Sequence, residues 1–359
     1  MGTGTWFKSE ATYLSPCFLY VRGKSSENCN FASKTFVKGI YMFRNDNTIH
    51  IDLHLPTSWN RCTTEELEAI AAAIIQEQQR VDRYHPFDWS RVKLSVVLAV
   101  NHIEVFSEAA PRGGNSLGFM GDEEYLVRRS KTEEPWGITV GHLLALTERL
   151  AWLDDEKSDK TVFRFPYPEL TRDKGTGTWF KSERTYQSPL YQSPLSLVGP
   201  PPLLDGYTWK EYRWLTDWMQ EYMRLSNAKR DASTAQREFL AVLFKPTDDK
   251  SLTVTADMFS DFNPVRWQVI LFWWSSLMAQ LAKKFPKVFK QQPVGKGKRK
   301  QQKQDTPWDF YNRVTATIQK YVGGLSAQDV DDQPYGVTLQ QLEMMATEAA
   351  EMEKLKKKK

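Results

Sequence analysis

The sequence predicts an α+β protein, with a mixed N-terminal domain that holds a small antiparallel sheet and helices, and an all-α C-terminal domain. Three observations lead to this prediction. The run TIHIDLHL at 48–55 alternates apolar and polar residues, as a half-buried strand does. From Thr208 onward, apolar residues recur at helical spacing behind a capping signal. Between these regions, residues 171–207 are rich in Pro, Gly and Ser, which is typical of a linker.

The predicted N-terminal domain, residues 1–170, contains two hairpins. Strands over 36–43 and 48–55 flank the turn Asn-Asp-Asn, which is common in hairpins. Strands over 102–106 and 125–129 form the second hairpin, across a glycine-rich loop.

Helices complete that domain. Thr63 and Glu66 have the spacing of a capping box, and the helix behind them carries its apolar residues on one side, namely Leu67, Ile70, Ile74 and Val81. Residues 89–100 fit two interpretations, because they alternate like a strand but follow Asp88, which can cap a helix. Thr139 can cap another helix that extends to Leu153.

The second half is predicted to contain a helical domain at 208–291, a basic linker at 292–305 and C-terminal helices with a basic tail at 306–359. Thr208 and Glu211 form a capping box, and Asn263 precedes a proline that suits the first helical position. The pair Gly323-Gly324 should end a helix, and Thr338 should begin the last one.

One peptide occurs twice. GTGTWFKSE stands at 2–10 and again at 175–183, the second time next to the tandem YQSPLYQSPL. A domain duplication would leave similarity over a longer stretch, so a local copying event is the simpler explanation. The copies serve either as accepted linker or as repeated docking peptides with Trp6 and Trp179 as anchors.

Net charge, cysteine content and apolar runs limit the classes of protein to which the chain can belong. The net charge is +4, and three cysteines without a paired spacing indicate neither a disulfide framework nor a zinc site. The N-terminus lacks an apolar signal core, and no apolar run is long enough to span a membrane. These features predict a cytoplasmic protein without a membrane partner.

The chain carries no sequence motif of an enzyme. It has no Gly-x-Ser-x-Gly, no phosphate-binding Gly-Lys-Ser/Thr loop and no GxGxxG after a strand. We therefore predict a protein without catalytic residues, cofactor or small-molecule substrate.

A metal site is a minor alternative. His50, Asp52 and His54 would share one face of the predicted strand, and His85 could add a further nitrogen ligand. Such a pattern is also what the exposed face of an amphipathic strand looks like.

A basic cluster raises a second alternative, binding of nucleic acid. Its members are Lys296, Lys298, Arg299, Lys300 and Lys303, and more lysines follow at 356–359. Clustered cations bind phosphates by releasing counterions. No RNA-binding motif accompanies them, so a solvated linker and tail remain the preferred interpretation.

The last helix predicts a protein-binding face. Leu342, Met345, Ala349 and Met352 are spaced three, four and three residues apart, as in the seam of a short coiled coil. This seam is the predicted partner-binding site.

Several stretches together resemble proteins from the tail-assembly gene clusters of bacteriophages and prophages. They are LHLPTSWNRCTTEELEAI, RVDRYHPFDW, WQVILFWWSSLMAQLAKKFPKVF and TLQQLEMMATEAAEMEKL. The last of them is similar to the helices that end some tail-assembly chaperones and adaptors. The resemblance implies a phage-like assembly protein that acts in the host cytoplasm through contacts with other virion-assembly proteins.

Overall fold

The computed structural model describes residues 40–44, 47–51, 53–82, 84–108, 124–128, 136–155, 158–172, 179–181, 195–247, 253–289 and 307–358. These residues fall into two compact units. The N-terminal unit takes those within Gly23–Val162 and Asn263–Phe272, and the C-terminal unit takes those within Phe163–Phe262 and Trp273–Lys359.

The N-terminal unit combines two small antiparallel sheets with helices. Its elements are β1 (Ile40–Arg44), β2 (Asn47–Ile51), α1 (Thr64–Arg80), α2 (Trp89–Val100), β3 (Glu104–Glu108), β4 (Glu124–Arg128), β5 (Trp136–Thr139) and α3 (Val140–Glu148). Strand β1 pairs with β2, and the other strands have the order β3-β4-β5. Both predicted hairpins are confirmed.

Helix caps in this unit follow the sequence. The Thr63 hydroxyl accepts a hydrogen bond from the Glu66 amide while the Glu66 carboxylate accepts one from the Thr63 amide, which confirms the capping box. The ambiguous stretch 89–100 is a helix, since the Asp88 carboxylate caps it through the Ser90 amide at 2.9 Å. Val81 is exposed, so its predicted place on the buried side of α1 is wrong; α1 ends at Arg80, and Val81 leaves the helix in an extended conformation.

The core of the N-terminal unit centres on Trp59. Its ring is only 2 % exposed and meets the rings of Trp152 and Phe272 edge-on, with centroids 5.5 and 5.1 Å apart. Ile70 and Val96, from α1 and α2, are completely buried. Edge-on aromatic contacts of this kind add to the free energy gained by burial alone.

The C-terminal unit contains a four-stranded antiparallel sheet and the larger helices. Its elements are β6 (Glu169–Arg172), β7 (Trp179–Lys181), β8 (Leu195–Val198), α4 (Trp209–Asn227), α5 (Ser233–Leu243), β9 (Lys245–Pro246), α6 (Pro264–Lys284), α7 (Pro307–Val322), α8 (Ala327–Asp332) and α9 (Tyr335–Lys358). The strand order is β7-β6-β8-β9. The first residues of α6, through Phe272, group with the N-terminal unit.

The protein is therefore α+β, as predicted. The all-α description of the second half needs one correction, because β9 adds a short strand to the sheet by pairing with β8. The other bounds of the predicted five-segment division stay predictions, whereas the linker at 171–207 does not hold where the structure describes it.

The predicted linker at 171–207 also needs correction where the structure describes it. Strand β8 lies inside the sheet, and Leu197, Leu204 and Tyr207 are buried. The proline-rich composition misled because the prolines at 200–202 follow the strand, where no ladder hydrogen bond is lost. Residues Trp179–Lys181 of the repeated peptide form β7, while its first copy lies outside the described residues.

Most helix ends in the C-terminal unit lie where the sequence predicts. Thr208 and Glu211 form their capping box, and Gly323, at φ +74°, ends α7 in the left-handed region that favours glycine. Helix α9, however, begins at Tyr335, and Thr338 is completely buried inside it. In the described part of the chain, no helix is both long and apolar enough to cross a bilayer.

Candidate functional site

A groove of about 740 Å³ opens on the surface of the C-terminal unit. One wall is the loop 202–207, the other is the first half of α9, and Lys284 and Phe285 at the end of α6 close one side. We call this feature the α9 groove.

Backbone hydrogen bonds join the loop to α9. The Tyr335 amide donates to the Tyr207 carbonyl at 3.0 Å, and beside it the Trp209 amide, at the start of α4, donates to the Gln333 carbonyl, just before α9, at 2.7 Å. The Tyr335 hydroxyl donates to the Leu203 carbonyl, and its ring stacks on Tyr212 with centroids 4.9 Å apart. The groove thus depends on contacts between segments that are far apart in the sequence.

The loop wall holds strained backbone. Leu203 and Leu204 have φ values of +54° and +55°, in the left-handed region, which costs roughly 1–2 kcal/mol for each residue with a β-carbon. Leu204 is completely buried, and the hydrophobic free energy of that burial holds the turn in place. Strain of this kind occurs often at functional sites, which directs attention to this loop.

The helical wall is fixed to the end of α6 through Glu343. Its carboxylate accepts hydrogen bonds from the Lys287 and Val288 amides, each at 2.9 Å. The Lys287 ammonium in turn donates to the Thr347 hydroxyl at 2.6 Å. The polar groups of this wall therefore form hydrogen bonds that hold the wall in place.

The two tyrosines of the groove keep their protons. Burial, with a smaller contribution from the charge of Glu211, raises the pKa of Tyr207 well above its usual range. Burial and then the charge of Asp205 raise the pKa of Tyr335 to about 12. Since both hydroxyls donate to backbone carbonyls, they serve as structural donors and are poorly placed to act as acids or bases.

Apolar side chains reach into solvent along the groove. Met344 is 51 % exposed and Val337 is 44 % exposed, and both line it. The Lys284 ammonium lies 5.4 Å from the centre of the Phe285 ring. Such a surface suits the apolar side chains of a ligand.

The structure describes the predicted metal ligands only in part. His50 lies in β2, Asp52 lies outside the described residues, and β2 ends at Ile51, so the predicted strand end at 55 is wrong. Beyond the strand, the His54 amide donates to the Asn101 side chain at 2.8 Å.

The imidazoles of His54 and His85 have carboxylate partners. His54 Nε2 lies 2.7 Å from Glu66 Oε1, and His85 Nδ1 lies 3.0 Å from Asp82 Oδ1. Over the part of the chain that is described, no three His, Cys, Asp or Glu side chains are grouped as a metal site would require.

The predicted seam on α9 is divided by the structure. Leu342 is 6 % exposed and packs within its own unit, so it is not available to a partner. Met345 is half-buried, while Ala349 and Met352 are exposed. Partner binding at this seam stays a prediction for its second half.

The basic cluster, Lys296, Lys298, Arg299, Lys300 and Lys303, lies outside the described residues. Its predicted binding of nucleic acid therefore stays a prediction from sequence.

The sequence did not predict the α9 groove. Its one local signal is the Pro-Pro-Pro-Leu-Leu-Asp-Gly run at 200–206, which indicates a turn but not the helix that faces it.

No family model, no curated protein and no solved structure matches the chain.

Proposed function

We propose that the chain is a non-enzymatic interaction protein that binds a segment of a partner protein in the α9 groove. The observation that carries the proposal is the exposure of Met344 and Val337 on a groove whose walls are fixed by hydrogen bonds. A preformed apolar groove lowers the entropy that is lost when a peptide binds.

The polar groups of the groove favour binding over catalysis. Tyr207 and Tyr335 donate to backbone carbonyls, and Glu343 accepts from backbone amides. Acid–base catalysis needs a titratable group within reach of the substrate and with a pKa near the working pH. These three groups are engaged in structural hydrogen bonds.

The charges of the groove define the occupant. Among the described residues that line it, Asp205 and Glu343 supply carboxylates and Lys284 supplies an ammonium. The Lys287 ammonium is bound to the lining residue Thr347. Glu343 is held by backbone amides, so Asp205, which is exposed, is the carboxylate that faces a ligand. We therefore commit to a peptide segment with large apolar side chains and a basic residue that faces Asp205.

Peptide selection tests this proposal. Short random peptides would be displayed and selected on the immobilised full chain, and the affinity of the enriched ones measured by fluorescence anisotropy. We expect enrichment of large apolar and basic residues. Met344→Glu should weaken binding by about tenfold or more, which is ~1.4 kcal/mol, because it places a charge on the apolar wall.

Leu144→Glu is the matched control. Leu144 is 54 % exposed on α3 and lies outside the groove, so this variant should bind the peptides like the wild type. Asp205→Asn should remove the preference for a basic residue. Peptides that bind Met344→Glu and the wild type equally would show that the groove is not the site.

The biological setting we propose is the assembly of a phage-like tail, on the resemblance described above. Neighbouring genes for tail components would support this setting, and a replication or repair operon would contradict it. Binding of double-stranded DNA with a salt slope of about −0.9 per phosphate contact would favour the nucleic-acid alternative.

A further inference from the structure

The second half of α9 extends beyond the packing of its unit. Tyr335, Thr338, Leu339 and Leu342 are buried, but residues 348–352, Lys354 and Leu355 are exposed. The Tyr321 hydroxyl donates to Glu348 at 2.8 Å, near the point where burial ends. The helix continues to Lys358, so residues 349–358 add about 15 Å of helix.

Such an extension gains little stability by itself. Its Glu, Ala, Met, Lys and Leu residues favour helix, but a segment of this length is only marginally helical in water without packing. A second helix against it would supply the missing packing.

The extension carries apolar side chains for that purpose. Met352 is 57 % exposed and Leu355 is 59 % exposed. Together with Ala349 they follow one another at three-residue intervals, which places them on one broad side of the helix.

Charge along the extension changes sign. The acidic residues Glu348, Glu351 and Glu353 come first, and then come Lys354 and the lysines at 356–359. Two parallel copies would place lysines against lysines, which is repulsive. Two antiparallel copies place the acidic part of each against the basic part of the other.

We propose that this side of α9, defined by Ala349, Met352 and Leu355, pairs antiparallel with the same side of a second copy of the chain. With Met352 at the twofold axis, Ala349 of each copy comes opposite Leu355 of the other, a small residue against a large one. Glu348 of each copy then comes opposite Lys356 of the other. This pairing involves a different surface from the α9 groove and does not rest on its function.

The first test is the oligomeric state of the full chain, measured by sedimentation velocity. The wild type should dimerise, and Met352→Glu should raise the dissociation constant by about tenfold or more because it buries a charge at the axis. Leu144→Glu, an equally exposed leucine on α3, is the matched control and should dimerise like the wild type. A monomeric wild type, or equal dimerisation of Met352→Glu, would overturn the proposal.

Charge exchange and cross-linking test the orientation. Lys356→Glu should weaken the dimer, and the added change Glu348→Lys should restore it. Under mild oxidation, a mixture of the Ala349→Cys and Leu355→Cys chains should form a cross-linked dimer that exceeds the background of the wild type and of each variant alone. Efficient cross-linking of Ala349→Cys with itself would indicate parallel pairing, and no cross-linking in the mixture would exclude the proposed register.

Thermal unfolding is the control that checks whether these variants remain folded. Leu144, Glu348, Ala349, Met352 and Leu355 are exposed, so the midpoints of variants at these positions should stay close to that of the wild type.

Discussion

Trp274 offers the most direct test of the C-terminal core. It lies in α6 with 3 % of its surface exposed. Its ring meets Phe239 of α5 edge-on, with centroids 5.2 Å apart and an interplanar angle of 89°. Phe239 is itself completely buried. Replacing Trp274 with alanine removes the indole from the point where these two helices meet.

The expected loss has two parts. Truncation of a buried Trp to Ala costs about 3–5 kcal/mol, because apolar contact is lost and a cavity remains. Of this, the edge-on contact with Phe239 should account for about 0.5–1.5 kcal/mol. A double-mutant cycle with Phe239→Leu measures that second part separately.

Trp214→Ala is the matched control in the same unit. Trp214 lies on α4 with 41 % of its surface exposed and with the Lys210 ammonium 4.8 Å from its ring centre. An exposed contact of this kind is worth about 0.5–1 kcal/mol. Urea unfolding followed by far-UV circular dichroism gives both free energies, and equal losses for Trp214→Ala and Trp274→Ala would refute the assignment of Trp274 to the core.

Two further predictions concern a buried carboxyl group and a close backbone approach. Burial, opposed by the smaller effect of Arg213, raises the pKa of Asp217 from 3.8 to about 6, so the folded state binds the proton more tightly than the unfolded chain does. Asp217→Asn should therefore be more stable than the wild type above about pH 6, and the difference in free energy of unfolding should narrow as the pH falls toward 3.8. A difference that stays constant across this range in urea titrations would show that the raised pKa of Asp217 is not its cause. Gly199→Ala should lower the thermal midpoint strongly, because a β-carbon there would lie 2.4 Å from both the Tyr167 carbonyl oxygen and the Phe165 ring. The control is Gly206→Ala, whose β-carbon would meet no atom within 4 Å, so that this variant measures only the cost of a positive φ. Equal midpoints for the two variants would argue against a steric clash at Gly199.

Helix starts were predictable because their signals are local. Thr63 with Glu66 and Thr208 with Glu211 each satisfy the first amides of a helix within one turn of sequence. Asn263 before Pro264 does the same for α6, where its side chain accepts from the Val265 amide at 2.8 Å. Such bonds need no information from the rest of the chain.

Features that depend on distant residues were not predictable in this way. Strand β8 is held by β6 and by β9, which lies well beyond the prolines that made the region look like a linker. The α9 groove needs Tyr335 beside Leu203, which no periodic pattern encodes. Leu342 likewise fits a partner-facing seam in sequence and is buried by its own unit in the structure.

The two walls of the α9 groove come from distant parts of the sequence, and this has a consequence during translation. A ribosome delivers the loop 202–207 well before α9, because synthesis proceeds from the N-terminus at roughly 5–20 residues per second. Until Tyr335 emerges from the exit tunnel, the Leu203 carbonyl and the Tyr207 carbonyl have no partner from α9, and the second wall of the groove does not exist. A partner that recognises the groove therefore distinguishes chains whose synthesis has passed α9 from nascent ones, without any separate signal.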